Sequence, residues 1–344
     1  MVRTIIFGVT GYTGVELVRL LAPHPDVVIA GGSSQQWAGK QASEVFPSLG
    51  GVYDFTLSTV DDLQRVPADL AFLALPHGES AKFVRPLLDA GVKVVDLSAD
   101  CRLHDPKVYG EWYGPHQDPG ILPQAIYGLP EIHRAEIAKA SLVANPGCYP
   151  TCVILGVAPL ISQDWADTSV VIADSKSGIS GAGRGTKLTT SFCEAGEGFK
   201  PYSIMRHRHI PEMEQELTLL KGEPVRVRFS PHLIPVSRGM VSTIYLPLKG
   251  PVAADTIREH YDAFYSAEPF VQVLSAGVLP DTLQVRGTNM CHVAVEVDDR
   301  TGILVVVSAL DNLTKGASGM AVQNMNIMMG LKETEGLTGL PLFP

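Results

Sequence analysis

Two stretches carry side chains able to do covalent and acid–base chemistry. In "VANPGCYPTC", residues 143 to 152, Cys148 stands between Gly147 and Tyr149, with Pro146 and Pro150 to either side. Pro150 suits the first position of a helix, where its missing N–H would be unpaired anyway, and "TCVILGVA" continues with helical apolar residues up to Pro159. Cys148 is therefore expected just ahead of a helix N-terminus, where the positive end of the macrodipole favours the nucleophilic thiolate. Cys101, Cys152, Cys193 and Cys291 read as small buried hydrophobes, the usual state of a free cysteine. The second stretch, "HRHIPEMEQEL", sets His207 and His209 ahead of Pro211, which opens a helix carrying Glu212, Glu214 and Glu216. In an extended segment this spacing puts both imidazoles on one side, where either can manage protons.

A second chemistry lies near the N-terminus. "GVTGYTG" places Gly8, Gly11 and Gly14 between an apolar run and a helical one, where glycines let a backbone approach a phosphate and a helix start offers it free N–H groups. The following strand ends in "GGSSQQWAGK". Ser33 and Ser34, with no carboxylate and with Lys40 nearby, leave room for a 2′-phosphate and favour NADP over NAD. A thiolate beside a nicotinamide cofactor suits one reaction class: the sulfur attacks an activated carbonyl, and hydride reduces the resulting thioester to an aldehyde. "DSKSGISGAGRGTK", with Ser180, Gly181 and Arg184, and "DLSADCR", with Arg102 just past a strand end, are candidates for holding an anionic substrate.

The elements that must position these residues fall into two patterns. Over the first 100 residues, "TIIFGV", "VVIAGG", "DLAFLAL" and "VKVVDLS" are strand-like and alternate with the helical "VELVRLLA" and "ESAKFVRPLLDAG". Such alternation predicts an α/β domain with a doubly wound parallel sheet. After about residue 150, "VRVRFS", "MVSTIYLPL", "HVAVEV" and "GILVVVSAL" predict an α+β domain with a largely antiparallel sheet. "NLTKGASGMAVQNMNIMMG", from about Asn312 to Gly330, has helical spacing and is expected to pack back on the first domain. The division expected is thus 1–147, completed by a C-terminal helix 312–344, and 148–311.

Bulk properties set the outer limits. The 344 residues suit two domains, and no apolar run approaches the roughly 20 residues of a membrane helix. The net charge of -9, without a basic cluster, argues against nucleic acid as a partner. Five scattered cysteines with no CxxC fit reduced thiols in a cytoplasmic protein and give no zinc site, so no metal is expected.

"GVTGYTGVEL", "ALPHG", "DLSADCR", "YGLPE", "NPGCYPT", "DSKSGISGAGR", "HRHIPE" and "DNLTKGASGMAVQNMN" occur in that order along nearly the whole chain. This set resembles the N-acetyl-γ-glutamyl-phosphate reductase family, and its members singly resemble the wider semialdehyde dehydrogenases. The resemblance implies a Rossmann-like NADP domain and, as a step of arginine synthesis, reduction of an N-acetylglutamyl acyl phosphate to the semialdehyde with release of phosphate. Cys148 is then the nucleophile, and His209, slightly ahead of His207, the acid or base. The resemblance places Gly8, Thr10, Gly11, Tyr12, Thr13, Gly14, Ser33, Ser34, Pro76, His77, Gly181 and Asn324 at the cofactor. Arg102, Ser180 and Arg184 fall to the substrate carboxylate or phosphate, and the protein is expected to be a homodimer or homotetramer. The chain departs from the family pattern at Cys101, where Phe is more common, and at Gln35, where a basic residue is. Two other readings stand beside it. One is a related reductase of an aspartyl phosphate or of a carrier-bound aminoadipyl or glutamyl group. The other is a non-catalytic NADP-binding redox sensor, with Cys152 resolving Cys148.

Overall fold

The computed structural model describes residues 1–343. Contacts divide the chain into two compact units: Met1–Pro146 with Ala317–Thr338, and Gly147–Gly316 with the residues from Gly339 on.

The first unit holds a sheet of β1 (Val2–Phe7), β2 (Val27–Ser33), β3 (Leu57–Ser58), β4 (Leu70–Leu73), β5 (Lys93–Asp96), β6 (Ala125–Tyr127) and β7 (Leu142–Ala144). Its order is β3-β2-β1-β4-β5-β7-β6, and every pairing is parallel. Ile5, Ile6, Phe7 and the whole of β4 are fully buried, as the inner strands of a sheet covered on both faces must be. Strand order reverses between β1 and β4, and ligands of such sheets bind outside the carboxyl ends at that switch point. Helix α1 (Tyr12–Leu21) follows β1 directly and turns Leu17, Val18, Leu20 and Leu21 inward. Helix α2 (Ala81–Asp89) links β4 to β5.

The C-terminal segment departs from the expectation. Its helix runs only over Gly319–Met328, preceded by a π turn at Thr314–Ser318. Residues 312–316, and those from Gly339, go with the second unit rather than completing the first. The reason lies in their bonds. Asn312 accepts from Gly239 N–H, and Leu342 exchanges hydrogen bonds with Arg286, all within the second unit.

The second unit's sheet comprises β8 (Val170–Gly178), β9 (Lys200–Pro201), β10 (Arg226–Ile234), β11 (Met240–Pro247), β12 (Val271–Val273), β13 (Cys291–Asp298) and β14 (Ile303–Leu310), in the order β12-β13-β14-β11-β8-β10-β9. It is mixed. The pairs β9–β10, β8–β11, β11–β14 and β13–β14 are antiparallel, whereas β8–β10 and β12–β13 are parallel. A helix lies between β8 and β10 in the chain, and such a crossover is what parallel neighbours require.

Helix α3 (Cys148–Val157) packs on β11 and β14 with Tyr149 to Val157 all buried. Helix α4 (Ile210–Lys221) packs beside it. Helix α5 (Ala254–Tyr265) brings two tyrosines to the far end of α3, where Tyr261 donates to Gly156 O at 2.7 Å and Tyr265 to Leu155 O at 2.5 Å. These hydroxyls satisfy carbonyls that a helix end leaves without partners. Among the described residues no helix is long and apolar enough to cross a membrane, and no cluster of His, Cys, Asp or Glu could hold a metal ion.

Candidate active site

Cys148 is the first residue of α3, not the one ahead of it. Gly147 is the cap, extended at φ -71 and ψ 152, and Thr151 closes the first turn by donating both N–H and Oγ1 to Gly147 O, at 2.9 and 3.0 Å. Pro150 consequently occupies the third position, which it tolerates because the N–H groups of a first turn have no intrahelical acceptor. The Gly147 N–H is instead accepted by Oε1 of Glu212 at 2.7 Å, a buried carboxylate in the first turn of α4. One hydrogen bond thereby docks the starts of both helices. Cys148 stays partly exposed while the rest of its helix is buried.

Gly316 belongs to this site as well. A Cβ there would lie 2.8 Å from Cys148 Cβ, so only glycine lets the π turn rest against the thiol residue. Only the fold puts Gly316 beside Cys148.

The histidine segment is turned rather than extended. Ser203 and Met205 take positive φ of 47 and 62, and the His209 N–H donates to His207 Nδ1 at 3.2 Å. The two imidazoles lie 4.8 Å apart, and His207 stands edge-on to Tyr149 at 5.5 Å, Tyr202 at 5.4 Å and Phe229 at 5.3 Å. Burial, with Arg208 adding to it, pushes His207 down to about 4 and keeps it neutral at ordinary pH. Since its Nδ1 accepts, the proton of the neutral ring is assigned to Nε2. His209 caps α4, with its ring 6.1 Å from that of Tyr149. Tyr202 donates to Tyr149 at 3.3 Å, and Tyr149 donates to His232 O at 3.1 Å. Burial drives the Tyr149 phenol far up and that of Tyr202 to about 12, and proximity to the Cys148 charge contributes to both. Both therefore remain neutral.

The other cysteines divide. Cys101, Cys152 and Cys291 are buried as expected, but Cys193 is exposed, on the short helix Phe192–Ala195. Cys152 is fully buried with Sγ donating to Ser308 O at 3.3 Å, and burial pushes its thiol up. A sulfur so enclosed is a poor resolving partner, which weighs against the sensor reading.

The glycine-rich loop after β8 also lies in the second unit. Asn312 Nδ2 donates to Ser180 Oγ at 2.9 Å, and Arg184 is exposed. A Cβ on Gly181 would approach Ser177 Oγ at 3.3 Å, and Gly181 lies in the same unit as the thiol. Arg102 departs from its expected part. It is 5 % exposed in the first unit, with Nε donating to Asn145 O at 2.8 Å and Nη2 to Leu97 O at 2.9 Å, which makes it a brace between two chain segments.

The dinucleotide turn is built in the first unit. Gly8 has φ +76, and a Cβ there would lie 2.4 Å from Ala74 O; a Cβ on Gly14 would lie 2.4 Å from Gly8 O. Gly11 caps α1 with its N–H on Gly8 O at 3.1 Å, and among the described residues no side-chain cap takes up the first-turn N–H groups of Tyr12, Thr13 and Gly14. These features fit a pyrophosphate. Ser33 is fully buried and its hydroxyl accepts from Gly8 N–H at 3.1 Å, while Ser34 pairs with Thr10 at 2.9 Å, so both hydroxyls brace the turn. Pro76 and His77 are exposed past the end of β4. Asn324, fully buried, donates Nδ2 to Gly128 O at 2.8 Å and to Asn145 Oδ1 at 3.1 Å, while its own Oδ1 has no hydrogen-bond partner among the described residues, an acceptor suited to a carboxamide N–H.

Sequence reasoning missed the carboxylates of "DLSADCR". Asp100 accepts from Gly78 N–H at 2.7 Å, Ala81 N–H at 3.1 Å and Tyr109 OH at 3.1 Å, and His77 Nδ1 accepts from Ala99 N–H at 3.0 Å. This staples the loop carrying His77. Asp96 lies beneath, fully buried, and burial with Asp100 nearby pushes it up to about 6. The only signal in the sequence was two acids at a strand end.

Comparisons with known proteins agree with both units. The family model described as semialdehyde dehydrogenase, NAD binding domain, matches residues 3–140, and that described as semialdehyde dehydrogenase, dimerisation domain, matches residues 148–312. N-acetyl-gamma-glutamyl-phosphate reductases of Citrifermentans bemidjiense and Geobacter sulfurreducens are 52% and 51% identical, each over 100% of both chains. That of Pelotomaculum thermopropionicum is 50% identical over 100% of this chain and 99% of its own. Among solved structures, aspartate semialdehyde dehydrogenase II from Vibrio cholerae aligns with TM-score 0.73 at 16% identity, covering 96% of this chain and 98% of that one. The Candida albicans aspartate semialdehyde dehydrogenase with NADP aligns with TM-score 0.71 at 14% identity over 96% and 98%. These structures share the fold; the full-length identity goes further and makes this chain a member of the N-acetyl-γ-glutamyl-phosphate reductase family of semialdehyde dehydrogenases.

Proposed function

We propose that this chain reduces N-acetyl-γ-glutamyl phosphate to N-acetylglutamate 5-semialdehyde with NADPH, releasing phosphate, as a step of arginine synthesis. The observation that carries the reading is Cys148 at the first position of α3, partly exposed and docked through Gly147 on the start of the helix that His209 caps. There the Cys148 sulfur attacks the acyl carbon, the bond from that carbon to the phosphate oxygen breaks, and a thioester forms as phosphate leaves. His209 takes the thiol proton. His207, neutral with its proton on Nε2, donates to the oxyanion as it develops. Ser180 and Arg184 hold the anionic ends of the substrate.

Tyr12, Thr13 and Gly14 N–H groups would hold the pyrophosphate of NADPH, Lys40 its 2′-phosphate and Asn324 Oδ1 its carboxamide. Bound there, the cofactor supplies the hydride that turns the thioester into the aldehyde. The protein further forms a homodimer. In the domain that matches a dimerisation family, the sheet face away from α3 exposes Val170, Ile172 and Tyr245, a surface suited to a second copy.

The test runs the reaction backwards, because the acyl phosphate is labile: NADPH formation from NADP, N-acetylglutamate semialdehyde and phosphate. Phosphate-dependent activity that Cys148→Ser abolishes and Cys152→Ser largely retains is expected. Activity confined to a different semialdehyde would replace the substrate, and activity surviving Cys148→Ser would end the thioester mechanism.

A further inference from the structure

We propose that Asp311 is a positioning residue for Cys148, acting through the π turn at Thr314–Ser318. Asp311 is fully buried, and its carboxylate takes five N–H donors. Oδ1 accepts from Leu313 N–H at 2.8 Å, Thr314 N–H at 3.2 Å and Arg238 Nη2 at 3.2 Å. Oδ2 accepts from Arg238 Nε at 2.9 Å and Gly287 N–H at 2.7 Å. Its backbone oxygen accepts from Gly316 N–H at 2.9 Å, and Arg238 reaches on to Thr314 Oγ1 at 2.9 Å. A single acid thus fixes the start of the turn and its middle residue, Gly316.

What the turn presses on is the thiol residue. The Cβ direction of Gly316 points at Cys148 Cβ at 2.8 Å and Cα at 3.2 Å, so a shift of the turn by a fraction of an ångström either crowds Cys148 or opens space behind it. A buried carboxylate surrounded wholly by donors tolerates no neutral replacement in register, because an amide NH2 in place of one oxygen sets donor against donor. The neighbouring Asn312 serves other partners. Its Oδ1 accepts from Gly239 N–H at 2.8 Å and its Nδ2 donates to Ser180 Oγ, so it fixes the glycine-rich loop and not the turn. Asp311 therefore governs how the nucleophile is presented, and a misplacement of about 1 Å can lower turnover about 100-fold without contact with substrate.

The kinetic half of this proposal rests on the reductase reading; the chemical half does not. In the cofactor-free full chain, alkylation of Cys148 by iodoacetamide is followed from pH 6 to 9 by peptide mass spectrometry, with the exposed Cys193 as internal reference. Asp311→Asn and Gly316→Ala are expected to slow Cys148 at least about tenfold with Cys193 unchanged, and to lower kcat about 100-fold with KM for NADP and semialdehyde within about twofold. Asn312→Ala is expected to leave Cys148 alkylation at the wild-type rate. A folded Asp311→Asn protein with wild-type Cys148 reactivity overturns the proposal. If that variant does not fold, Gly316→Ala decides in the same way, because it displaces the turn with the carboxylate intact. An Asn312→Ala protein as slow as Asp311→Asn also overturns it, since the effect would then be general loosening. Absence of turnover in the wild-type chain would remove the reductase reading while the alkylation series still decides the role of Asp311.

Discussion

The Glu212 carboxylate accepts the Gly147 N–H at 2.7 Å, and this one bond holds the helix that begins with the thiol against the helix that begins after the imidazole pair. Neither helix start supplies a side-chain cap of its own. Glu212 is a cap lent across the tertiary structure. Glu212→Ala strands a buried N–H, which destabilises by about 1–3 kcal/mol and should also lower kcat. Glu212→Gln keeps an oxygen acceptor and should recover most of the stability. Urea unfolding beside steady-state kinetics on the two variants checks this, and equal losses in both would contradict it.

His207 titrates from a depressed value. Folding lowers it from 6.5 to about 4, so between those values the unfolded chain binds the proton and the folded chain does not. Its contribution to stability is present above pH 6.5 and is lost as pH falls toward 4. In an NMR titration its ring signals should stay those of a neutral imidazole from pH 8 down to about 5. The pH–rate profile then reports Cys148 with His209, and a His207 signal that moves near pH 6.5 would refute the assignment.

Asp96 has the opposite sign. Folding raises its pKa from 3.8 to about 6, so the folded chain retains a proton that the unfolded chain has released between those values. Stability falls as pH rises from about 4 to 6 and stays lower above. Asp96→Asn removes the buried charge while keeping an acceptor for Ser98 N–H, whose bond to Asp96 Oδ1 is 3.0 Å. Relative to the wild type, the variant should gain about 3 kcal/mol between pH 4 and 7, at roughly 1.4 kcal/mol for each pH unit of displacement. Chemical denaturation at both pH values measures the difference.

Gly8→Ala tests the dinucleotide turn. Its φ of +76 and a Cβ 2.4 Å from Ala74 O leave no room for a methyl. NADPH affinity, read by fluorescence, should fall at least about tenfold, a loss of roughly 1.4 kcal/mol. Alkylation of Cys148 should be unchanged, because the thiol site is built in the other unit.

Local sequence determined much of this protein. The apolar runs of β1, β4 and β5 and the glycines at 8, 11 and 14 announce a parallel sheet with a phosphate turn, because strand period, positive φ and helix starts are local properties. The Cys148 environment was legible for the same reason, although the helix starts two residues earlier than the proline implied: Pro150 lies at the third helical position because Glu212 and Thr151, not the proline, set where the helix begins. What the tertiary structure alone decided concerns partners distant in sequence. Gly316 against Cys148, Asp311 on Arg238 and Gly287, Asp100 under the His77 loop, and the neutral His207 among Tyr149, Tyr202 and Phe229 all depend on groups that come together only when the sheets form. Burial decided the rest. Side-chain type cannot tell a serine or arginine facing ligand from one bracing the fold, and Ser33 and Arg102 became braces because folding set backbone groups within their reach and excluded the water that would otherwise have met them.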